Sequence, residues 1–353
     1  MRLVIFGLAV SSSWGNGHAT IWRGLCKALA QKGHSVTFFE KDTPYYRTHR
    51  DLIAPEGYKL EIYPSWGEVE TQAAAAVCSA DCAIVTSYCP DAGVASNLIL
   101  DCQTCSIFYD LDTPVTLNVL SREGKVDYIP EFGLEPFDLV LSYTGGRALE
   151  ELQKRLGARR VAPLYGSVDP AIHKRVKSES QFASDFSYLG TYAADRQSQI
   201  EELFLKPATR LPAQRFCIAG ALYPQDFPWS ENIYFVRHLP PPQHPAFYSS
   251  SRLTLNVTRA AMSEMGYCPS ARLFEAAACG TPLVSDWWEG LDKFFEPGKE
   301  ILIAQSSEEA LEAIALNDDE LTKLARASQE RTLAQHTADS RAIELLGLIG
   351  DVA

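Results

Sequence analysis

The stretch Cys268-Pro-Ser-Ala-Arg-Leu-Phe-Glu275-Ala-Ala-Ala-Cys-Gly280-Thr-Pro282 decides how the rest of the chain is read. Pro269 and Ser270 supply a helix start, because proline suits a first turn and a serine hydroxyl can cap exposed amides. Gly280 closes the helix and Pro282 forbids its continuation. A short helix over 270–279 is therefore expected, with a positively polarised amino end that suits a phosphate group. Glu275 stands one to two turns further on, on the order of 7 Å along the axis. That offset matches the distance from a diphosphate to the ribose hydroxyls of one nucleotide. From spacing alone, a surface acid on a helix packed against a sheet explains Glu275 equally well.

Outward from this segment the chain alternates apolar runs with helical or turn-rich stretches. Residues 186–189 form such a run and end in Gly190, and further strands are expected at 215–219, 233–236, 253–257, 283–285 and 301–303. A helix is expected at 308–317, and a long closing helix from 318 to about 348. The amino-terminal half begins with an apolar run at 3–10, a glycine-rich turn Gly15-Asn16-Gly17-His18, a helix at 21–32 stopped by Gly33, and a strand at 35–40. Apolar runs at 82–86, 104–109 and 139–143 continue the pattern. Strands of this kind are buried on both faces, which implies parallel sheets flanked by helices. The expected class is α/β, with two doubly wound Rossmann-like domains facing across a cleft. The boundaries read as 1–167, a polar linker 168–184, a second domain 185–334, and a carboxyl-terminal helical segment 335–353 that returns to the first domain.

The 353-residue chain is long enough for two cores, and 46% hydrophobic with 22% charged residues is a globular composition. A formal charge of −12 argues against broad cationic binding of nucleic acid. No run approaches the roughly 20 apolar residues of a membrane span, and residues 1–10 read as a buried strand rather than a signal peptide. The nine cysteines lie in mostly apolar contexts such as those of Cys26 and Cys217, which reads as core thiols in a reducing cytoplasm. Cys102 and Cys105, with Cys78, Cys82 and Cys89 upstream, fall in helix-like and strand-like segments without two knuckles. No metal is expected there.

Glu275-Ala-Ala-Ala-Cys-Gly-Thr-Pro-Leu-Val284 resembles the nucleotide-binding signature of glycosyltransferases with the two-domain GT-B fold. The longer stretch, through Ser285-Asp-Trp-Trp-Glu-Gly-Leu291, is similar to the CgeB-like, spore-protein-related branch. The resemblance implies a nucleoside-diphosphate sugar as co-substrate, UDP before GDP or dTDP, with no separate cofactor and no metal. It implies ribose binding by Glu275 and phosphate contacts near Ser270, Ala271 and Arg272. Many retaining members carry two glutamates separated by seven residues, whereas this chain has Tyr267 at the earlier position. Retention is favoured, and inversion stays open.

Gly190 and Arg196 follow the first strand of the second domain, where the family sets a loop and a basic residue against the diphosphate. An arginine fork suits phosphate oxygens. Arg259 ends another strand and is a second candidate. In the first domain, Gly15, Asn16 and Gly17 form a cleft loop that permits close backbone approach. His18 is expected to act as a base toward an acceptor hydroxyl or as a sugar contact. Asp110 and Asp112 end a strand and line the acceptor side or brace its loop. The expected partners are the donor and a hydroxyl-bearing acceptor. A sugar-nucleotide 2-epimerase and a non-catalytic nucleotide-sugar binder are the alternatives.

Overall fold

The computed structural model describes residues 1–352, and Ala353, the end of the 335–353 segment, lies outside them. The chain forms two compact units, one of Met1–Gly166 with Ala338–Ala353 and one of Ser167–Thr337.

The first unit is built on β1 (Arg2–Gly7), β2 (Ser35–Lys41), β3 (Lys59–Tyr63), β4 (Cys82–Thr86), β5 (Cys105–Asp110), β6 (Leu139–Ser142) and β7 (Val161–Pro163). They lie in the order β3-β2-β1-β4-β5-β6-β7, and every neighbouring pair is parallel. β4 and β6 are buried at every position, which is why they read as unbroken apolar runs. β3 and β7 carry no such run and were not expected. Both are edge strands, and an edge needs only partial burial. Phe6, Phe39, Val85, Phe108 and Phe137 fill the core on one face, with Phe6 stacked on Phe39 at 4.9 Å between centroids.

Against the expectation of core thiols throughout, Cys78 and Cys102 are joined by a disulfide, their Cα atoms 5.2 Å apart. Cys78 ends the helix Trp66–Cys78, and Cys102 directly follows the helix Ala92–Asp101. These two helices pack together, which brings the sulfurs into register.

The second unit contains β8 (Phe186–Leu189), β9 (Phe216–Gly220), β10 (Ile233–Arg237), β11 (Thr254–Asn256), β12 (Leu283–Ser285) and β13 (Leu302–Ile303). Their order is β10-β9-β8-β11-β12-β13, again all parallel. Phe186, Tyr188, Phe204 and Phe216 form an aromatic core against one face. Residues 168–184 belong to this unit: the Val168 amide donates to His336 O at 3.0 Å, and Phe182 and His173 are buried.

The closing helix is two helices rather than one. Asp318–Gln335 opens with a capping box between Asn317 and Glu320 and stops at His336. Thr337 bridges to Val168, which takes the backbone out of helical register. A second helix, Ala338–Gly350, packs on the Gly17–Gln31 helix of the first unit, where Lys32 pairs with Asp339 at 2.6 Å.

In both sheets the strand order reverses next to the first strand, between β1 and β4 and between β8 and β11. Loops leaving the carboxyl ends of such strands diverge and leave a crevice for a ligand.

Candidate functional site

In the second unit the β8 and β11 ends carry three arginines. Arg272, in the first turn of the Ala271–Ala278 helix, donates through Nη1 to Leu189 O at 2.8 Å and through Nη2 to Val257 O at 3.1 Å. It thereby ties together the two strand ends that frame the crevice. Gly190 makes room for this, since a Cβ there would sit 2.6 Å from the Tyr188 hydroxyl and 3.1 Å from Arg272 Nη1. Arg196 is buried; Nη2 donates to Thr191 O, while Nε is buried without a partner. Burial first, and then the nearby charges of Arg272 and Arg259, push the Arg196 guanidinium below its ordinary pKa. Arg259 pairs with Asp195 at 3.2 Å and is otherwise half exposed.

Ser270 occupies the N-cap position of the Ala271–Ala278 helix, but its side chain does not cap an amide. Oγ accepts instead from Arg272 Nε at 3.0 Å. The expected capping role is therefore replaced by a brace on Arg272, and the first-turn amides, including that of Ala271, are left without a side-chain cap. Uncapped amides and mutually repelling arginines make a local positive field in a chain whose net charge is −12.

Glu275 lies further along the same helix and is buried, 5% exposed. Its Oε2 is 3.2 Å from His244 Nδ1, and its Oε1 is 3.8 Å from His173 Nε2. Burial alone would raise this carboxyl. The facing His173, the hydrogen bond from His244 and the charge of Arg272 reverse that and hold it at about 2. Asp286, following β12, accepts from the Thr258 amide and hydroxyl, both at 3.0 Å, and so fixes the turn that presents Arg259.

In the first unit, Gly15 adopts φ +61° and Asn16 caps the Gly17–Gln31 helix, Oδ1 accepting from the His18 amide at 3.1 Å. Asn16 Nδ2 donates to Ala9 O at 2.9 Å and Ser12 O at 3.1 Å, which holds the loop closed on itself. Open space adjoins Gly17. His18 Nε2 meets Asp112 Oδ2 at 3.1 Å, so the loop after β1 and the loop after β5 converge on one pair. Asp110 is fully buried; Oδ1 accepts from the Asp112 amide at 3.1 Å and from Thr116 Oγ1 at 3.0 Å. Burial raises its carboxyl to about 6. Asp110 thus positions Asp112, and Asp112 is the acid that reaches the histidine.

Sequence reasoning missed four residues at these places. Glu40, fully buried at the end of β2, accepts from the Val10 and Ser11 amides at 2.7 and 2.8 Å and shapes the β1 loop. Tyr88, after β4, has φ +62°, a backbone conformation rare for a bulky residue, and its ring lies 5.7 Å from that of His18. A buried acid inside an apolar strand was a visible signal for Glu40. His173 and His244 gave none, because each lies in a stretch without periodicity.

Residues 196–347 match a family model described as glycosyl transferase-like. Among solved structures, a sucrose-phosphate synthase from Thermosynechococcus elongatus is similar over 99% of both chains, at 15% identity and a TM-score of 0.70. The GT-B glycosyltransferase fold is the fold of this chain. HepE from Anabaena, in complex with UDP-glucose, matches with a TM-score of 0.70 at 12% identity, over 99% of this chain and 100% of that one. An α-glucosyltransferase in complex with UDP-glucose and DNA containing an abasic site matches with a TM-score of 0.68 at 13% identity, over 99% of each chain. No curated protein matches the sequence significantly. Among the described residues of this GT-B chain, no helix is long and apolar enough to cross a membrane.

Proposed function

We propose that the protein transfers a sugar from a nucleoside-diphosphate sugar, a UDP-sugar by preference, to a hydroxyl-bearing acceptor. The observation that carries this reading is the set of three arginines around uncapped helix amides at the β8/β11 crevice, with Arg196 Nε buried and unpartnered. A diphosphate neutralises that cluster, and the same groups stabilise the charge that develops as it leaves. Glu275 takes the ribose hydroxyls as acceptor of their hydrogen bonds. UDP-glucose in the HepE and α-glucosyltransferase structures supports the choice of nucleotide.

In the first unit the His18–Asp112 pair serves the acceptor hydroxyl, with Asp112 orienting the ring. His18 Nδ1 is buried without a hydrogen-bond partner, so it meets an acceptor hydroxyl only when the ring turns or its loop moves. Transfer proceeds through these protein groups, with retention favoured despite Tyr267, and the CgeB-like branch is the family placement that residues 269–291 favour. The −12 charge disfavours a nucleic-acid acceptor.

Calorimetry with UDP, GDP and dTDP tests the donor site. Wild type is expected to bind UDP most tightly, and Glu275→Ala to bind it at least about tenfold more weakly through lost charge-assisted bonds. His18→Ala is expected to keep UDP affinity and lose turnover by about 100-fold or more. Equal UDP binding by Glu275→Ala and wild type would overturn the pocket assignment. Isomerisation of a UDP-sugar without any transfer would favour the epimerase alternative instead.

A further inference from the structure

We infer that His173, His244 and Glu275 form a site for a single transition-metal dication of the zinc type. Each offers one ligand atom, and these atoms all lie within 4.8 Å of one another. The carboxylate is central, with His244 Nδ1 at 3.2 Å from one oxygen and His173 Nε2 at 3.8 Å from the other. Around a tetrahedral ion with bonds near 2.1 Å, ligand atoms stand roughly 3.4 Å apart. The His244–Glu275 pair, at 3.2 Å, is already near that spacing, and no pair of ligand atoms, all within 4.8 Å, exceeds it by more than about 1.4 Å.

The state of His173 distinguishes this group from an ordinary buried ion pair. The residue is 6% exposed, yet neither ring nitrogen has a hydrogen-bond partner. At 3.8 Å, His173 Nε2 and the Glu275 carboxylate stand too far apart for a hydrogen bond, a gap that an ion between them fills. Two imidazoles and a carboxylate are a borderline-soft donor set that suits zinc, cobalt or nickel rather than magnesium or calcium. The buried Tyr248 hydroxyl, also unpartnered, lies in the same electrostatic environment as Glu275. His244, 16% exposed at its side chain, marks the side from which an ion enters.

The ligands come from three separate segments: the 168–184 stretch, the helix His244–Ser249 and the helix Ala271–Ala278. An ion there ties them together and fixes the Glu275 carboxylate. A carboxylate offers about four lone-pair sites, so ribose hydroxyls can share it with the ion.

The test is metal analysis of the full chain after dialysis with zinc or cobalt, alongside UDP calorimetry on the same samples. About one equivalent is expected in wild type, with a raised Tm and the intense visible spectrum of low-symmetry cobalt. His173→Gln and His244→Gln should each weaken cobalt affinity at least about tenfold. His34→Gln, which changes a histidine outside the cluster, should match wild type. Absence of stoichiometric metal in wild type, or its full retention in both glutamine variants, overturns the site. Because His173→Gln leaves Glu275 in place, its UDP affinity reports the donor reading separately: metal loss with UDP binding intact supports both, and a wild type that binds metal but no UDP defeats only the donor reading.

Discussion

At Asp110, burial raises the carboxyl to about 6 from an ordinary 3.8. Between those values the folded chain holds a proton that the unfolded chain has released. Stability therefore falls as pH rises through that window and is level above it. Asp110→Asn removes this dependence while its amide oxygen can still accept from Asp112 and Thr116. Relative to wild type, the variant is expected to gain on the order of 1–3 kcal/mol between about pH 4 and about pH 7. Urea unfolding at both pH values reads this directly, and parallel pH profiles for the two proteins would refute it. Glu275 has the opposite sign. Its carboxyl is held below the ordinary 4.5, so its contribution is present above that value and is lost as pH falls toward about 2.

At the scale of elements, the loop before the Ala271–Ala278 helix is fixed by an unusual contact. Tyr267 has φ +47° and donates its amide to Glu289 O at 2.7 Å, while Gly290, at φ +87°, lies beneath its ring. A Cβ on Gly290 would fall 2.5 Å from Tyr267 Cδ1. Gly298 has a similar φ of +78° but open space around it. Gly298→Ala is therefore expected to cost only the left-handed strain, about 1 kcal/mol, whereas Gly290→Ala adds displacement of Tyr267 and should cost about 2–4 kcal/mol. Comparison of the two melting curves isolates the Tyr267 contact; equal losses would show that it contributes nothing. The sequence made Tyr267 visible as a departure from the two-glutamate pattern. It held no sign of Gly290 as the floor beneath it, because the pair is 23 positions apart and joined only by the fold.

For the whole molecule, the two units respond to different perturbations. The Cys78–Cys102 bond closes a loop of sequence separation 24 within the first unit. Its reduction is expected to destabilise that unit by about 3 kcal/mol through the entropy of the unfolded loop. Melting with and without reductant should shift only the transition of that unit. Alkylation of the denatured, unreduced chain should label seven of the nine cysteines. Labelling of all nine without reductant would remove the disulfide from the account.

The sequence by itself determined the α/β class, the parallel central strands and the helix that follows Ser270. Runs buried on both faces and glycine or proline stops are local properties, and local properties survive in a linear text. It also marked Arg196, Arg259 and Arg272 as residues that follow a strand or open a helix, and Glu275 as an acid further along that helix. Only the tertiary structure decided what each of them meets. The edge strands β3 and β7, the break at His336 and the Cys78–Cys102 bond depend on partners distant in sequence, as do the His18–Asp112 pair and the two histidines against Glu275. A side chain's neighbours across a sheet or between packed helices follow from chain topology, and periodicity within one segment carries no record of them.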